Sequence, residues 1–452
     1  MKKRALLVLC MLIVLVAGCS NNMSNSSTPA PGSGQGNSEA TGSEEPVTIK
    51  FYYYYSEEEM QWDKLHAAFQ EEYPNIHVEP VQLVNNVSSP DFMKKLDLLA
   101  SSGDELGVIY LPTASDYAKY QGLGMLEPLN TYMEEEGLDF PETYNADLAI
   151  DGTHYGIPAS TSTFFTLLNK DHLEEAGLDV PPNDWTWETF REYANKLTKA
   201  EGSSKRYGTY YHTWLYDYKF PLFDQAVNNN IYKSDGTSNM DDPLVAKTLE
   251  LRYNMENVDK SAVPLSTSIS QKLSYRNEYL NQNVSMIITG SWMVAETAGT
   301  ELMPVSFRTV FAPLPRNVSD GSNGYTNAVP SVLAVTKNSP NKDAAYKFMR
   351  WYSTKGMALQ GWRFTSWKGA DLNAVIDNML ERSTNPEMMD RESLVNTFNA
   401  RDGAVAMPST YSTEMDAEYI VEAEKYLLDN QDLQTTLDNL KKKMDAIVES
   451  NN

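Results

Sequence analysis

From Val47 the chain alternates along VTIKFYYYY, so that Val47, Ile49, Phe51, Tyr53 and Tyr55 fall on one face, the period-two signature of a strand. Ser56 and Glu59 follow at capping-box spacing, and Trp62, Leu65 and Phe69 recur on one side of the helix they open. Pro74 predicts the end of that helix, and IHVEPV supplies the next strand. A helix around 92–99, the apolar GVIYL and a further helix from about Ala114 complete a βαβαβ rhythm. Such a rhythm builds a parallel sheet with helices on both faces. Ligands of these sheets sit at the carboxyl ends of strands, which here are Tyr54, Tyr55 and Ser56 and the stretch 110–116. Farther along, Gly177 predicts a helix C-cap, and Thr186 caps a helix with Trp187, Phe190 and Leu197 on one side. Val284, Met286 and Ile288 alternate as a buried strand that Gly290 ends. Leu433, Leu437, Leu440, Met444 and Ile447 keep helical spacing as a packing stripe.

The first 45 residues have a different texture. MKKR and the apolar or small run 5–17 predict a secretory leader, since the run is shorter than the roughly 20 residues that span a bilayer. Ala17 and Gly18 directly before Cys19 resemble the lipobox of bacterial lipoproteins. That resemblance implies a signal peptide over 1–18 and a diacylglycerol on the Cys19 sulfur, which anchors the protein to the cell membrane. Cys10 is the other of the two cysteines; once it leaves with the leader, no thiol remains for a disulfide, a CxxC metal site or a cysteine nucleophile. The Ser-, Asn-, Gly- and Pro-rich segment 19–45 cannot bury enough apolar surface to fold and reads as a flexible tether.

Loss of Lys2, Lys3 and Arg4 leaves 34 basic against 61 acidic side chains and takes the net charge from −24 to −27, a balance that repels nucleic acid and anionic headgroups. The densest acidic spots, SEEE at 56–59 and MEEE at 133–136, read as solvated faces. The five histidines, His66, His77, His154, His172 and His212, show no HExxH or close pairing, and neither a GxSxG elbow nor a GxxxxGK[ST] phosphate loop is present. No cofactor and no catalytic residue are expected. A glycoside hydrolase with two carboxylates in an aromatic cleft is the alternative from another class, and 61 acids cannot exclude it by composition.

Six stretches taken together resemble one family: FQEEYPNIHVEPV, YAKYQGLGMLEPL, YGIPASTSTFFTLLNKDHLEEAGL followed by DWTWETF, VSMIITGSW, FAPLP and PSVLAVTKNSPNKDAAYKFMRWYST. Their order along nearly all of the mature chain is similar to that of the extracellular solute-binding proteins of ATP-driven importers, in the sugar-binding cluster that includes the maltodextrin binders. The resemblance implies an α/β fold of the type II periplasmic-binding-protein kind, two lobes on a hinge with a central cleft that closes on a solute. It implies a monomer that captures a carbohydrate, with an oligosaccharide expected, and delivers it to the membrane-spanning permease subunits of an ABC importer. The expected division is 46–159 and 316–365 for lobe 1, and 160–315 and 366–452 for lobe 2. Crossings are expected near Ala159, within 315–327 and within 361–371.

A sugar site mixes aromatic faces for C–H patches with planar polar groups for hydroxyls. Trp292 leads, because the family's tryptophan at this GSW-like position commonly lies against the ligand ring, and Gly290 and Ser291 would let backbone amides approach. Tyr411 falls where the maltodextrin binders place a stacking aromatic. Ser160, Thr161 and Ser162 align with the first crossing, where those binders use a carboxylate, a departure that weighs against maltodextrin itself. Within YYHTWLYDYKF, Trp214 and Tyr216 are candidates for stacking and Asp217 for hydrogen bonding; from the first lobe come Tyr55, Glu57 and Asp116, with Glu57 also suited to a helix N-terminus. Trp185, Trp187, Trp351 and Trp362 read as packing. A glycerophosphodiester or a polyamine is the alternative cargo for the same fold.

Overall fold

The computed structural model describes residues 45–201, 204–224, 231, 233, 237–300, 303–321, 324–325, 327–400 and 411–451. The expected leader and tether, Cys19 included, lie outside the described residues. Among the described residues nine strands form the sheet: β1 Val47–Tyr53, β2 Ile76–Gln82, β3 Val108–Leu111, β4 Ile157–Asn169, β5 Lys199–Glu201, β6 Ser204–Tyr210, β7 Val284–Gly290, β8 Thr309–Ala312 and β9 Asn327–Val335. Their order is β2-β1-β3-β9-β4-β7-β6-β5, with β8 also on β4. The expected βαβαβ unit is present, since β1 pairs in parallel with both β2 and β3. Helices cover both faces, so alternation gives way to burial on both sides toward the end of β1, where Phe51, Tyr52 and Tyr53 are all inside although Thr48 and Lys50 stay exposed, and over all of β7.

The capping box at Ser56 forms, with Ser56 Oγ accepting the Glu59 N–H and Glu59 Oε2 accepting the Ser56 N–H, each at 3.2 Å. The single helix expected after it is instead two, α1 Glu57–Met60 and α2 Trp62–Glu72, split by Gln61 in the left-handed region at φ 48. Glu57 explains the restart. Its carboxylate accepts the Trp62 N–H at 2.9 Å and so satisfies a donor that the break leaves free. Trp62, Leu65 and Phe69 then turn inward as the pattern requires. The helices α3 Ser89–Ser101 and α4 Ala114–Gly122 complete this end of the molecule.

The buried apolar residues fall into two groups of cores. One group gathers around Phe51, Trp62, Phe348 and Tyr352 and around Phe92, Tyr117 and Val332. The other gathers around Phe165, Tyr279 and Phe311, around Phe164, Trp185 and Phe190, and around Tyr218, Met415 and Leu440. The chain passes between the groups in β4, in β9 and through 361–367. The long strand β4 starts on β9 beside the first group and ends on β7 and β8 inside the second, with its register broken between Pro158 and Thr161. In the third passage the Thr161 N–H donates to Phe364 O and the Ser366 N–H to Ala159 O.

Arg316 and Tyr325, expected in the first lobe, make their contacts with the second group: the Arg316 N–H donates to Trp185 O at 2.8 Å, and Tyr325 Oη donates to Phe220 O at 2.8 Å. The passage itself lies in β9, where 328–330 face Thr161–Thr163 and Val332–Val335 face β3. A buried apolar strand can bridge two cores without a loop, so no turn signal marked it. Trp185, Trp187, Trp351 and Trp362 are buried packing residues, as read from the sequence. Among the described residues no helix is long and apolar enough to cross a membrane.

Close backbone contacts set the tolerance of this fold. A Cβ on Gly208 in β6 would sit 2.0 Å from Ala194 O, in the backbone of the helix Trp187–Leu197. Gly208→Ala is expected to lower stability by roughly 2–3 kcal/mol, measured by urea denaturation, because neither backbone can yield without repacking the Trp185 and Phe190 core.

Candidate functional site

At the end of β7 the chain turns through Ser291–Met293, and the turn folds the Trp292 ring back over Gly290. Any Cβ at Gly290 would lie 2.0 Å from that ring, so glycine is what allows the tryptophan to take this place. Trp292 is half-buried. Its ring meets Phe164 edge-on at 5.3 Å and Trp214 at 5.8 Å, and its Nε1–H donates to Tyr275 Oη at 3.0 Å. Tyr275 in turn packs on Trp214 at 4.8 Å and on His212 at 5.3 Å. Beside Trp292 these side chains enclose a narrow crevice lined by Phe164, Tyr210, His212, Trp214, Asp217, Tyr275, Ile288 and Thr289.

The first group of cores presents a second aromatic wall at the carboxyl ends of β1 and β3. Tyr54 and Tyr55 lie 4.4 Å apart, and Tyr110 meets Tyr55 edge-on at 5.0 Å. The Arg363 guanidinium sits 4.0 Å above the Tyr55 ring and donates to Glu59 Oε1 at 3.1 Å. Across from it, Arg276 lies over the Tyr275 ring at 4.9 Å and pairs with Glu296 at 2.9 Å. The two ion pairs feel one another: Glu59 acts on Arg276 and on Glu296, and Arg363 acts on Glu296 and Tyr275. Burial pushes the Glu296 carboxyl up, with Arg276 opposing it. The helix Ser412–Leu427 of the second group also lies against α4 of the first.

The sequence candidates divide by place. Trp292, Trp214 and Asp217 come together around the crevice, and Tyr216 reaches the same cluster through Phe164 at 4.8 Å. Gly290 and Ser291 support it from below, Gly290 as the bed of the ring and Ser291 Oγ as acceptor of the Thr163 N–H at 3.1 Å. Tyr55 lies in the facing wall, buried beneath Arg363. Ser160 does not open to a solute: its hydroxyl is enclosed with Tyr110 Oη at 2.9 Å and Ser331 Oγ at 2.7 Å, where it ties β4 to β9 and β3. Ser162, by contrast, is the only residue of β4 that is not fully buried. Glu57 is exposed and caps α2, whereas Glu59, two residues on, holds the buried position by Arg363. Asp116 lies in the first turn of α4, where Thr113 caps the helix by accepting the Asp116 N–H at 3.1 Å and donates its hydroxyl to Asp116 Oδ2 at 2.7 Å; burial pushes the Asp116 carboxyl up to about 6 against that hydrogen bond. Tyr411 stands at the head of the helix Ser412–Leu427 on the core of Met415 and Tyr419, a different core from that of Trp292.

Residues that sequence reasoning passed over are Phe164, Tyr275, Arg276, Glu296, Arg363 and Thr289. His212 lay inside YYHTWLYDYKF and was read only as an absent metal ligand. His66 and His77 do approach each other, with ring centroids 5.3 Å apart, but among the described residues no group of three or more His, Cys, Asp or Glu side chains suits a metal ion.

Comparison with known proteins follows the same lines. The sequence profile of the family described as bacterial extracellular solute-binding protein matches residues 55–358. A Brucella abortus (strain 2308) protein described as a binding protein is 25% identical over 265 residues, 56% of this chain and 59% of the relative. The chain thus spans about three-fifths of the length of the first curated relatives it matches. Among solved structures, a Listeria monocytogenes ABC substrate-binding protein in complex with cycloalternan superposes with a TM-score of 0.74 at 20% identity, over 89% of this chain and 99% of that one. A Mycobacterium tuberculosis protein in complex with glycerophosphocholine superposes with a TM-score of 0.70 at 18% identity, over 90% and 99%. These likenesses show the fold, the mixed α/β periplasmic-binding-protein architecture expected from the sequence.

Two titrating groups at the crevice oppose each other. Asp217 Oδ1 accepts the His212 N–H at 2.6 Å, and burial pushes its carboxyl from 3.8 up to about 7, with Arg252 and that hydrogen bond opposing. Tyr210, Tyr211, Tyr218, Arg252 and Glu256 are the other ionisable groups around it. His212 is pushed down from 6.5 to about 4 by burial, then by Arg252 and Arg276. Between pH 3.8 and 7 the folded chain holds an Asp217 proton that the unfolded chain has released, so this group's contribution falls as pH rises. His212 has the opposite sign between 6.5 and 4, since the unfolded chain binds the proton the folded one refuses. Asp217→Asn keeps the acceptor and deletes one of the two. The stability of the variant relative to the parent is expected to rise with pH across that window, by up to about 1.4 kcal/mol per pH unit, in denaturation measured from pH 4 to 7.5.

Proposed function

The chain belongs to the bacterial extracellular solute-binding protein family, and on that premise we propose that it is the receptor of an ABC importer for a neutral carbohydrate, an oligosaccharide in the first instance. Its family is one of binders rather than enzymes. The observation that carries the choice of cargo is the make-up of the facing walls: aromatic rings at Trp292, Trp214, Tyr275 and Tyr55, and charges that come already matched as Glu59–Arg363 and Arg276–Glu296. Matched pairs offer planar donors and acceptors to hydroxyls without a net charge. A phosphodiester would want an arginine free of its glutamate, and a polyamine would want the reverse; either would leave a buried partner uncompensated, which is costly. A sugar disturbs neither balance.

In this reading the two groups of cores act as lobes, 46–159 with about 330–365 and the remainder of the body, and β4, β9 and 361–367 form the hinge. The solute touches both walls and draws the lobes together, because only a ligand with differential affinity for the closed form can shift that equilibrium. The closed form then docks on the permease. Cys19 carries the lipid that holds the receptor at the membrane, and the segment after it serves as the tether.

Calorimetric titration of the purified protein with maltotriose, cycloalternan, mannitol, glycerophosphocholine and spermidine, with mass spectrometry of the recovered compound, tests the proposal. Saturable binding of a saccharide returned intact is the expected result; a cleaved sugar would make the protein a hydrolase, and tighter binding of glycerophosphocholine or spermidine would overturn the carbohydrate reading. Trp292→Ala is expected to weaken saccharide binding roughly 30-fold in a variant that still folds cooperatively but melts lower, since the bond to Tyr275 and the ring contacts with Phe164 and Trp214 are lost. Cys19→Ala is expected to move the protein from the detergent phase to the aqueous phase in phase partition, and retention in the detergent phase would remove the anchor.

A further inference from the structure

Two short helices of the first group end on the same guanidinium. α1 stops at Met60, before the left-handed Gln61, and the helix Met357–Gln360 stops before Gly361 at φ 59. A helix end leaves carbonyls without an intrahelical partner and carries partial negative charge, so a cation that donates hydrogen bonds suits it on both counts. Arg382, the C-cap of the helix Leu372–Glu381, supplies that cation to both ends. Its Nη1 donates to Gln360 O at 2.8 Å and its Nη2 to Glu58 O. The Gln61 amide, with its oxygen turned to the guanidinium, accepts from Nε at 3.1 Å and from Nη2 at 2.9 Å. The Trp362 ring lies 4.9 Å from the same group.

These partners come from different halves of the molecule. The helix Leu372–Glu381 buries Val375, Ile376 and Met379 in the second group, whereas Met60 and Met357 lie in the core of the first. The approach is close, since Asn378 Nδ2 donates to Ala358 O at 3.4 Å and a Cβ on Gly361 would sit 2.9 Å from Asn378 Cβ. Glu58 stands 324 residues from Arg382, so this bond is made through space and not by the passage 361–367. It is made while the facing walls are near each other: Glu59 acts on Arg276 and Glu296, and the helix Ser412–Leu427 lies against α4.

We propose that Arg382 is a clasp between the lobes, made when the cleft closes and broken when it opens, and that it sets the affinity of the receptor without touching the solute. Rotation that parts the walls carries α1 away from the helix Leu372–Glu381, and the guanidinium and the carbonyls return to water. The proposal rests on the two-lobe reading above and requires no particular solute.

The test reads the separation of the lobes by electron–electron resonance between nitroxides on Lys94→Cys and Lys442→Cys, in the full chain with Cys10→Ala and Cys19→Ala. Without solute, Arg382→Met is expected to lower the ratio of the short to the long separation about tenfold, and Gln61→Gly about threefold, because glycine keeps the left-handed turn and loses only the amide. The Kd of whichever of maltotriose, cycloalternan and mannitol binds most tightly is expected to rise by the same factors. Gln61→Gly leaves Arg382 and its helix intact, and so carries the test if methionine at 382 prevents folding. A ratio and an affinity equal to the parent's in both variants would overturn the clasp. A shift toward the short separation would do the same, since it would assign the contact to the open form. One unchanging separation in the parent, with and without each solute, would bring down the two-lobe reading and the clasp with it.

Discussion

The molecule depends on one strand that belongs to both of its halves. β4 runs for 13 residues, buried apart from Ser162, and its backbone is shared among β9, β7 and β8. Its pairing with β9 does not keep one register: it shifts between Pro158 and Thr161, and the irregularity there leaves backbone groups that the ladder does not pair. The amide of Thr161 is then taken up by Phe364 O, and the hydroxyls of Ser160 and Thr161 by Tyr110, Ser331 and Ser366. A row of hydroxyls at a crossing looked, in sequence, like a surface for sugar. Its first job is to satisfy a backbone that has lost its ladder.

The extent to which this was legible follows from how far apart the interacting residues stand. The Ser56–Glu59 capping box, the Thr186 cap and the βαβαβ unit are local patterns, and each formed where the pattern placed it. The break at Gln61 was not legible, because it depends on Glu57 reaching forward to Trp62 instead of facing solvent. The pair Arg276 and Glu296 spans 20 residues, and Glu59 with Arg363 spans 304, so neither spacing carries a signal. Trp292 could be found because its glycine is adjacent in the chain. Tyr275, which receives its Nε1–H, could not, since nothing in the run around it differs from an ordinary amphipathic helix end.

The charge pairs bear on both specificity and shape. Bringing Glu59 and Arg363 out of water costs several kcal/mol per ion, and the pair offsets that only through its hydrogen bonds and the Tyr55 ring beneath it. Such an arrangement adds little to stability. It does fix where α1 lies, because Ser56 N–H and Arg363 share the one Glu59 carboxylate, and it holds the Tyr54 and Tyr55 wall at a set angle.

The second wall is held differently, ring against ring, with Trp292 bonded to Tyr275 and Trp214 wedged between them. Rings that brace one another lose little side-chain freedom when a ligand arrives, so more of each contact appears as affinity. Built this way, one wall is set by buried charge and the other by aromatic packing, and they are joined through β4, β9 and 361–367. In the proposed two-lobe reading, movement between the walls is cheapest as rotation about β4, β9 and 361–367, since bending either wall would break buried polar contacts such as Glu59–Arg363 and Trp292–Tyr275.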